Sequence, residues 1–539
     1  MNNRGWLALL LGVILSTAAA SAWSDDFTTL ATQLKSRDFN TKQQTIEALA
    51  KINDPRVLTI FKAMMGGQLF YNEDNSQPYL ESEKNGERQF TSVLTGKKAE
   101  GMDPFSFHRV VVNNYLRGIL RDHLAGLELS SPDEGLRLKA ARQMLDDPEP
   151  DDMPRISKAL ERETSPKVHR VLVLAQDLIR LQKDDSAVRL AAISGLEGQL
   201  EPDVKDALVQ LVGPDGKGGT EKDAKVRAAA WSALQGINTR LWWNGIFQNV
   251  YFGVSLGAVL LLAAVGLAIT FGVMGVINMA HGEMIMLGAY TTYMVQQIWP
   301  GLIEYSVFIA IPLAFCVSGL VGVLLERLVI RHLYGRPLET LLATFGVSLA
   351  LQQAVRTIFS PLNRSVITPD WMSGSFAVNG ALSLTWNRLY IIIFALLVLL
   401  VLSVVLRKTQ FGLQMRAVTQ NRRMANSMGI RAGWVDALTF GLGSGIAGIA
   451  GVALSQLTNV GPNLGQDYIV DSFMVVVFGG VGNLMGTFFG AMTLGIANKL
   501  LEPFSGAVLA KIVVLVFIIL FIQKRPRGLF ALKGRAIED

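Results

Sequence analysis

Long stretches without a charged side chain set the strongest limit on what this chain can fold into. No Asp, Glu, Lys or Arg occurs from Leu241 to Gly282, and five later stretches between residues 305 and 523 hold at most one charge each. A membrane-spanning helix needs about 20 apolar residues, whereas a buried helix of a soluble domain is shorter and amphipathic. The sequence therefore predicts an all-α, polytopic membrane domain, with weaker spans at Met274–Gln297 and Leu338–Ile358.

The charges divide the chain into two parts. Residues 1–240 hold 31 of the 50 basic and 33 of the 44 acidic side chains, which leaves 19 and 11 for residues 241–539. About a quarter of the first part is charged, as in an ordinary globular domain, but only about a tenth of the second part is. The boundary near Leu241 predicts domains at 23–240 and 241–539. The positive excess lies in the apolar part, where membrane topology explains it better than nucleic acid does.

The N-terminus has the pattern of a secretory leader. Arg4 precedes the apolar run Trp6–Leu15, and small residues follow, ending in Ala20-Ser21-Ala22. This order predicts a signal peptide at 1–22, cleaved after Ala22, with a short membrane anchor as the alternative. We therefore expect the 23–240 domain in the periplasm of a bacterium, and the remainder in the inner membrane.

A recurring pattern predicts that the 23–240 domain is α-helical. An apolar residue and a basic residue are followed by small residues at helical spacing, which lets neighbouring helices approach closely. Such copies resemble HEAT-type helix pairs, and an ordinary helical domain is the alternative. The copies begin at Leu136-Arg137, Val168-His169, Val188-Arg189 and Val226-Arg227. The polar segment Gly66–Asp103 is expected to be a long loop. The single cysteine, Cys316, excludes a disulfide within the chain.

Basic loops predict the topology of the membrane domain. The regions Arg327–Arg336, Arg407–Arg431 and Lys524–Arg535 concentrate its basic residues, and the positive-inside rule places them in the cytoplasm. Because the membrane domain is predicted to begin on the periplasmic side and to end in the cytoplasm, it must cross the membrane an odd number of times. The predicted range is seven to nine crossings. Counting Ser472–Asn498 as one span gives an even number. This stretch should therefore turn back at Gly479–Asn483, or else enter and leave by one face, as broken helices do in transporters.

The cytoplasmic segment Gly412–Gly429, GLQMRAVTQNRRMANSMG, combines methionines with arginines. Its composition predicts one helix that ends at Gly429. Such a helix suits either an anionic membrane surface or a groove on a cytoplasmic partner. The residues alone leave both open. The chain has no phosphate-binding loop of its own, so any ATPase that powers it must be another chain.

Several motifs together resemble one family, the branched-chain amino-acid type (LivH-like) ABC permeases. They are Asn278-Met279-Ala280-His281-Gly282-Glu283 with Met286–Tyr290, Arg416-Ala417-Val418, Met424-Ala425, Met428-Gly429-Ile430, Ala447–Gly451, Phe478–Asn483 and Arg525-Pro526-x-Gly528-Leu529-Phe530. The resemblance covers residues 245–535. It implies an importer subunit rather than an enzyme, with ATP bound by two cytoplasmic ABC ATPases, a second permease subunit and a periplasmic solute-binding protein. It implies no cofactor, metal or catalytic residue in this chain.

The resemblance also assigns candidate residues. Those that would shape or gate the substrate pathway are Asn278, His281, Glu283 and Asn483, and we add the uncharged Ser444. Those of the loop that would meet the ATPase are Arg416, Gln420, Asn421, Arg422, Arg423, Met424, Met428 and Gly429. A helical periplasmic extension resembles the members that import urea, so urea is the expected substrate. Branched-chain or other amino acids are the alternative, and a membrane-anchored helical scaffold or sensor is an alternative of another class.

Overall fold

The computed structural model describes residues 27–52, 54–84, 87–99 and 102–530. The predicted signal peptide therefore lies outside the described residues. The chain forms two compact units, Met1–Ile237 and Asn238–Asp539. Each unit is described by itself below, and both are built mainly from helices.

The first unit is mainly helical, and most of its helices begin at a residue suited to capping. Residues 27–33 are also helical. Asp38, Asp54, Asn113, Asp133 and Asp185 each accept a backbone N–H at the start of a helix. The helices are α1 Phe39–Leu49, α2 Pro55–Gly66, α3 Asn114–Leu129, α4 Glu134–Asp146, α5 Met153–Leu160, α6 Pro166–Arg180, α7 Ser186–Leu196 and α8 Pro202–Val212, followed by α9, Ala224–Met274, within which the boundary between the units falls.

The recurring sequence pattern has one structural counterpart, a bond between an arginine and the loop before its helix. Arg137, Arg189 and Arg227 each lie in the first turns of a helix and donate from Nη1 to the carbonyl six residues earlier. The accepting carbonyls belong to Ser131, Lys183 and Glu221. The basic position of the pattern thus closes the same loop three times. The assignment to HEAT-type repeats stays a prediction.

The expected loop at Gly66–Asp103 is wrong, because the segment forms most of an antiparallel sheet. The strands are β1 Leu69–Asn72, β2 Pro78–Lys84, β3 Glu87–Ser92 and β4 Phe107–Arg109, in the order β3-β2-β1-β4. Alternating aromatic side chains give the sheet an apolar face, and the rings of Phe90 and Phe107 stack at 4.1 Å. This aromatic cluster stabilises strands that also hold many polar residues.

The second unit confirms the predicted polytopic helical architecture. Among the described residues, six helical segments are long and apolar enough to cross a membrane: Ala224–Met274, Pro300–His332, Pro337–Phe359, Trp386–Lys408, Ala432–Ser455 and Leu484–Lys524. After α9 the elements are α10 His281–Ile298, α11 Ser306–Leu328, α12 Pro337–Phe359, the hairpin β5 Ser375–Asn379 and β6 Leu382–Thr385, α13 Trp386–Lys408, α14 Gln410–Gln420, α15 Arg422–Ser427, α16 Ala432–Ser455, α17 Leu464–Gly479 and α18 Leu484–Lys524.

Helix α16 packs against α10 and α11 through glycines. A methyl group added at Gly288 of α10 would lie 1.9 Å from the carbonyl oxygen of Gly448 on α16. One added at Gly448 would lie 2.6 Å from the carbonyl oxygen of Ala314 on α11. Only residues without a side chain permit such backbone-to-backbone approach. The three helices therefore form a tightly packed centre.

The stretch Ser472–Asn498 turns at the expected place. Helix α17 ends at Gly479, Gly480 and Gly482 have positive φ angles of 106° and 79°, and α18 begins at Leu484. A methyl group at Gly479 would lie 2.3 Å from the carbonyl oxygen of Gly486, so α18 packs directly beside α17 after the turn. The turn itself is observed, while the choice between the two predicted ways of lying in the membrane stays a prediction. The number of membrane crossings stays a prediction.

Candidate transport site

A short non-helical segment joins α9 to α10 inside the second unit. Asn278 is fully buried there, and its Oδ1 accepts the backbone N–H of Ala280 at 3.0 Å. The backbone N–H of Met279 donates to Oγ1 of Thr344 on α12 at 3.1 Å. The segment is thus fixed by one bond within itself and one bond to a neighbouring helix.

His281 begins α10 and is fully buried against α9. Its Nε2 lies 2.8 Å from the carbonyl oxygen of Ala263. A carbonyl only accepts hydrogen bonds, so Nε2 carries a proton, and Nδ1 of the neutral ring is then an acceptor. A methyl group at Gly266 would meet both the His281 ring and the carbonyl oxygen of Gly443. The histidine therefore lies where α9, α10 and α16 come together.

Glu283 binds two side chains of α12. Its Oε1 accepts from Oγ of Ser348 at 2.9 Å and from Nε2 of Gln352 at 2.7 Å. All three residues are buried. A carboxylate in an apolar interior is costly unless polar groups surround it, so these two donors explain how the unit accommodates it.

We use polar seam as the name for Asn278, His281, Glu283, Thr344, Ser348 and Gln352, in which α12 bonds to Met279 and Glu283 while His281 bonds to α9. Within the described part of the chain, three buried atoms of the seam have no hydrogen-bond partner: Asn278 Nδ2, His281 Nδ1 and Glu283 Oε2. They are one donor and two acceptors, since the neutral histidine accepts at Nδ1. Buried polar atoms normally find partners. These three atoms are therefore open to partners that the described residues do not supply.

Two predicted pathway residues make contacts outside the seam, and Ser444 Oγ is a further buried atom without a hydrogen-bond partner in the described residues. Ser444 is fully buried, but it faces α11, where a methyl group at Gly322 would lie 2.3 Å from its Oγ. Asn483 caps α18, accepting from the N–H groups of Met485 and Gly486, and its Nδ2 approaches the carbonyl oxygen of Phe530 at 3.4 Å. Its observed contacts are those of a residue that shapes the turn after α17.

Sequence reasoning missed the half of the seam that α12 provides. Thr340, Thr344, Ser348 and Gln352 recur every four residues, and all are buried. Residues four apart lie on one face of a helix, so this spacing already indicates a polar stripe along an otherwise apolar span. The stripe would have identified the residues that face Glu283.

The segment Gly412–Gly429 forms two helices rather than the single helix expected. Helix α14 ends at Gln420, and Asn421 leaves the helical conformation with φ −152° and ψ 98°. The side chain of Asn421 accepts the N–H of Met424 and so begins α15. Gly429 follows that helix with a positive φ angle of 85°, as a helix-stopping glycine does.

Two of the predicted ATPase-contacting residues are bonded to other parts of the second unit, although both are exposed. Arg416 donates to the carbonyl oxygen of Leu406 at 2.6 Å, and Arg422 pairs with the fully buried Asp436. Met424 and Met428 are 63% and 78% exposed. All eight predicted residues are exposed: Arg416, Gln420, Asn421, Arg422, Arg423, Met424, Met428 and Gly429. Two large apolar side chains beside a cation form a surface suited to another protein.

Groups that bind metals are not assembled in the described residues. No set of three or more His, Cys, Asp or Glu side chains in that part of the chain is placed to hold a metal ion.

Comparison with known proteins identifies the second unit. LivH of Escherichia coli K12, a high-affinity branched-chain amino acid transport system permease protein, is 30% identical over 292 residues, which are 52% of this chain and 94% of LivH. BraD of Pseudomonas aeruginosa, with the same description, is 28% identical over 293 residues, with the same coverage of 52% and 94%. The ribose import permease protein RbsC of Bacillus subtilis is 31% identical over 110 residues, 19% of this chain and 34% of RbsC.

No solved structure matches the chain. The family model described as branched-chain amino acid transport system, permease component, matches residues 249–522, which include the polar seam and the exposed α15. The relatives are transporter subunits, and the chain likewise is a multi-pass membrane protein and not an enzyme. The chain belongs to the branched-chain amino acid (LivH-like) ABC permease family.

Proposed function

We propose that this chain is a membrane subunit of an ATP-driven importer that moves a small polar solute across the bacterial inner membrane. The polar seam carries the proposal, because it places unpartnered hydrogen-bonding atoms inside an apolar helical unit. Family membership supports the partners: a second permease subunit, cytoplasmic ABC ATPases that bind ATP, and a periplasmic solute-binding protein. The 23–240 domain is proposed to lie in the periplasm.

The seam lowers the barrier for a polar solute by replacing its water. A solute that enters an apolar interior loses hydrogen bonds to water, which costs about 2–7 kcal/mol per polar group. Glu283 Oε2 and His281 Nδ1 accept hydrogen bonds, and Asn278 Nδ2 donates one. A solute with both donors and acceptors recovers part of this cost there, while a purely apolar molecule leaves the atoms unpaired.

An amino acid is the first substrate candidate. LivH and BraD are described as parts of branched-chain amino acid transport systems. The α12 stripe also continues from Gln352 to Arg356, whose Nη2 donates to Asn463 at 2.7 Å. The carboxylate of Glu283 and the guanidinium of Arg356 offer partners for the ammonium and carboxylate groups of an amino acid.

Urea is the second candidate, and the first unit favours it. The relatives cover 52% of this chain, so residues 1–237 form a compact unit outside the region shared with LivH. A secreted helical extension of this kind resembles the urea-importing members. Urea is neutral and needs only uncharged or singly charged hydrogen-bonding partners, which the seam provides.

Initial uptake of labelled leucine and labelled urea tests the proposal. Cells with and without the gene are compared, and each is repeated with an inactive cognate ATPase. Loss of uptake of one solute, with the same dependence on the ATPase, supports an importer and identifies the substrate. If the gene and the ATPase change uptake of neither solute, the scaffold or sensor alternative replaces these two substrate assignments.

A matched pair of variants tests the seam itself. Gln352→Leu removes one donor to Glu283, whereas Gln353→Leu changes the adjacent, exposed residue. A hydrogen bond to a charged group contributes about 1.5–3 kcal/mol, so uptake should fall about tenfold or more in the first variant. Equal uptake by the two variants, at equal amounts of folded protein, would contradict the role of the seam.

A further inference from the structure

Arg422 is bonded to residues outside α15, although its side chain is 43% exposed. Its Nη2 contacts Oδ2 of Asp436, and its guanidinium lies over the ring of Tyr334, 4.7 Å from the centroid. Asp436 is fully buried near the start of α16. Charge-assisted bonds of this kind are strong and directional. The first residue of α15 is therefore fixed to the beginning of α16.

The contacts continue from Tyr334 into α11. The hydroxyl of Tyr334 donates to Oε1 of Glu326 at 2.9 Å. Burial, and then the nearby carboxylates of Asp436 and Glu326, raise the pKa of Tyr334, so its hydroxyl stays a donor at neutral pH. The next residue of α11, Arg327, lies over the ring of Trp434 on α16 at 4.3 Å. One network therefore joins α15, α11 and α16.

The two helices at the end of this network are closely packed along their length. A methyl group at Gly322 of α11 would meet Ser444, and one at Gly445 of α16 would lie 3.0 Å from the carbonyl oxygen of Phe315. Further along α16, Gly443 packs on Gly266 of α9, next to the ring of His281. A displacement of α15 that pulls on Arg422 would therefore shift α16 relative to Gly266 and the ring of His281.

We infer that Arg422 is a positioning residue that transmits movement of α15 to the paired helices α11 and α16, instead of a residue that binds the ATPase. This inference rests on the proposed function, since it assumes that an ATPase moves α15. Recognition of the ATPase then falls to Arg423, Met424 and Met428, which are exposed and are not among the residues of the network. Under this inference Arg422 has a role separate from that of the other residues predicted to meet the ATPase.

The test reconstitutes the full permease with its cognate ATPase, second permease and solute-binding protein in liposomes. ATP hydrolysis and solute uptake are measured in the same liposomes. The quantity compared between variants is the ratio of solute molecules taken up to ATP molecules hydrolysed. Arg422→Gln should retain at least half of the co-purifying ATPase and of the hydrolysis, while the ratio falls about tenfold. Arg431→Gln is the control, because Arg431 is an exposed arginine that also precedes α16.

Further variants keep the inference testable if Arg422→Gln does not fold. Arg422→Lys retains the charge but loses the flat group over Tyr334, and should lower the ratio partially. The single variant Arg422→Asp should lower the ratio of uptake to ATP hydrolysis. The double variant Arg422→Asp with Asp436→Arg, which exchanges the two charges, should restore part of that ratio. A change that only destabilises the protein would lower hydrolysis and uptake together and leave the ratio unchanged.

Two failures are distinguishable. If the unaltered complex shows no ATP-dependent uptake and binds no ATPase, the proposed function fails. If the unaltered complex couples hydrolysis to uptake and the Arg422 variants keep the same ratio, the inference alone is overturned. Loss of the ATPase in Arg422→Gln with an unchanged ratio would likewise return Arg422 to the group of binding residues.

Discussion

Replacing Gly288 by alanine is expected to separate α10 from α16 and to destabilise the second unit. The added methyl group would lie 1.9 Å from the carbonyl oxygen of Gly448, whereas ordinary contacts begin at 3.4 Å. The helices must therefore move apart by the difference, 1.5 Å, because both contacting groups belong to backbone. A flexible side chain that could yield is absent from this contact.

The free energy cost arises because the side chains around the methyl group no longer pack closely. Met284, Ile285, Ala447 and Ala450 are buried in one cluster of these two helices, and a gap of 0.5–1 Å already forfeits about a quarter to a half of the dispersion attraction between two atoms. Overpacking typically costs about 1–3 kcal/mol, and a shift this large belongs at the upper end. Alanine regains about 1 kcal/mol through helix propensity, which leaves a net destabilisation of about 2 kcal/mol.

Thermal unfolding of the purified full chain in detergent measures the effect, followed by intrinsic tryptophan fluorescence. Gly346→Ala is the matched control, since Gly346 lies within α12 and an added methyl group there meets nothing within 4 Å. The control should be as stable as the unaltered protein or slightly more so. If Gly288→Ala unfolds at the same temperature as Gly346→Ala, the close packing of α10 on α16 is refuted.

Two further predictions concern the first unit. Gly195→Ala would place a methyl group 2.2 Å from Oδ2 of Asp177, so it should lower the free energy of unfolding by about 1–3 kcal/mol. In the control Gly236→Ala the added methyl group meets nothing within 4 Å, so stability should not change. Equal melting temperatures of the two variants would contradict this prediction. Hydrogen bonds from Arg137 hold the pKa of Glu163 in the folded protein below its ordinary value. The ionised carboxylate therefore stabilises the folded state at pH values above the pKa of Glu163 in the unfolded chain. This stabilisation is lost as the pH falls through the lower pKa of the folded protein. Glu163→Gln should therefore weaken the acid-side fall of the melting temperature, and an unchanged pH profile would count against the pair.

The membrane helices were predictable because one physical constraint dominates them. A spanning segment must be long, apolar and almost free of charge, and Leu389–Leu406 has this composition within α13. Glycines likewise marked the turn at Gly479–Asn483, since positive φ angles need residues without a side chain. In these places local composition decides the structure, and sequence reasoning succeeds.

Other features depend on partners distant in sequence. The sheet at Leu69–Arg109 is stabilised by contacts such as Phe90 on Phe107, although the Asn85-Gly86 pair already has the composition of a tight hairpin turn. Arg422 looked like its neighbour Arg423 in sequence, because nothing local indicates that Asp436 lies 14 residues away as its partner. The contacts of such residues require the fold itself.

The glycine contacts of α16 also determine which kind of motion is easy. Interlocked side chains resist sliding, because each step requires several of them to change rotamer. Where Gly448 meets Gly288, and Gly443 meets Gly266, smooth backbone surfaces face each other instead. The same contacts that accept no extra methyl group thus form shear planes, along which α16 can translate between its neighbours with little repacking.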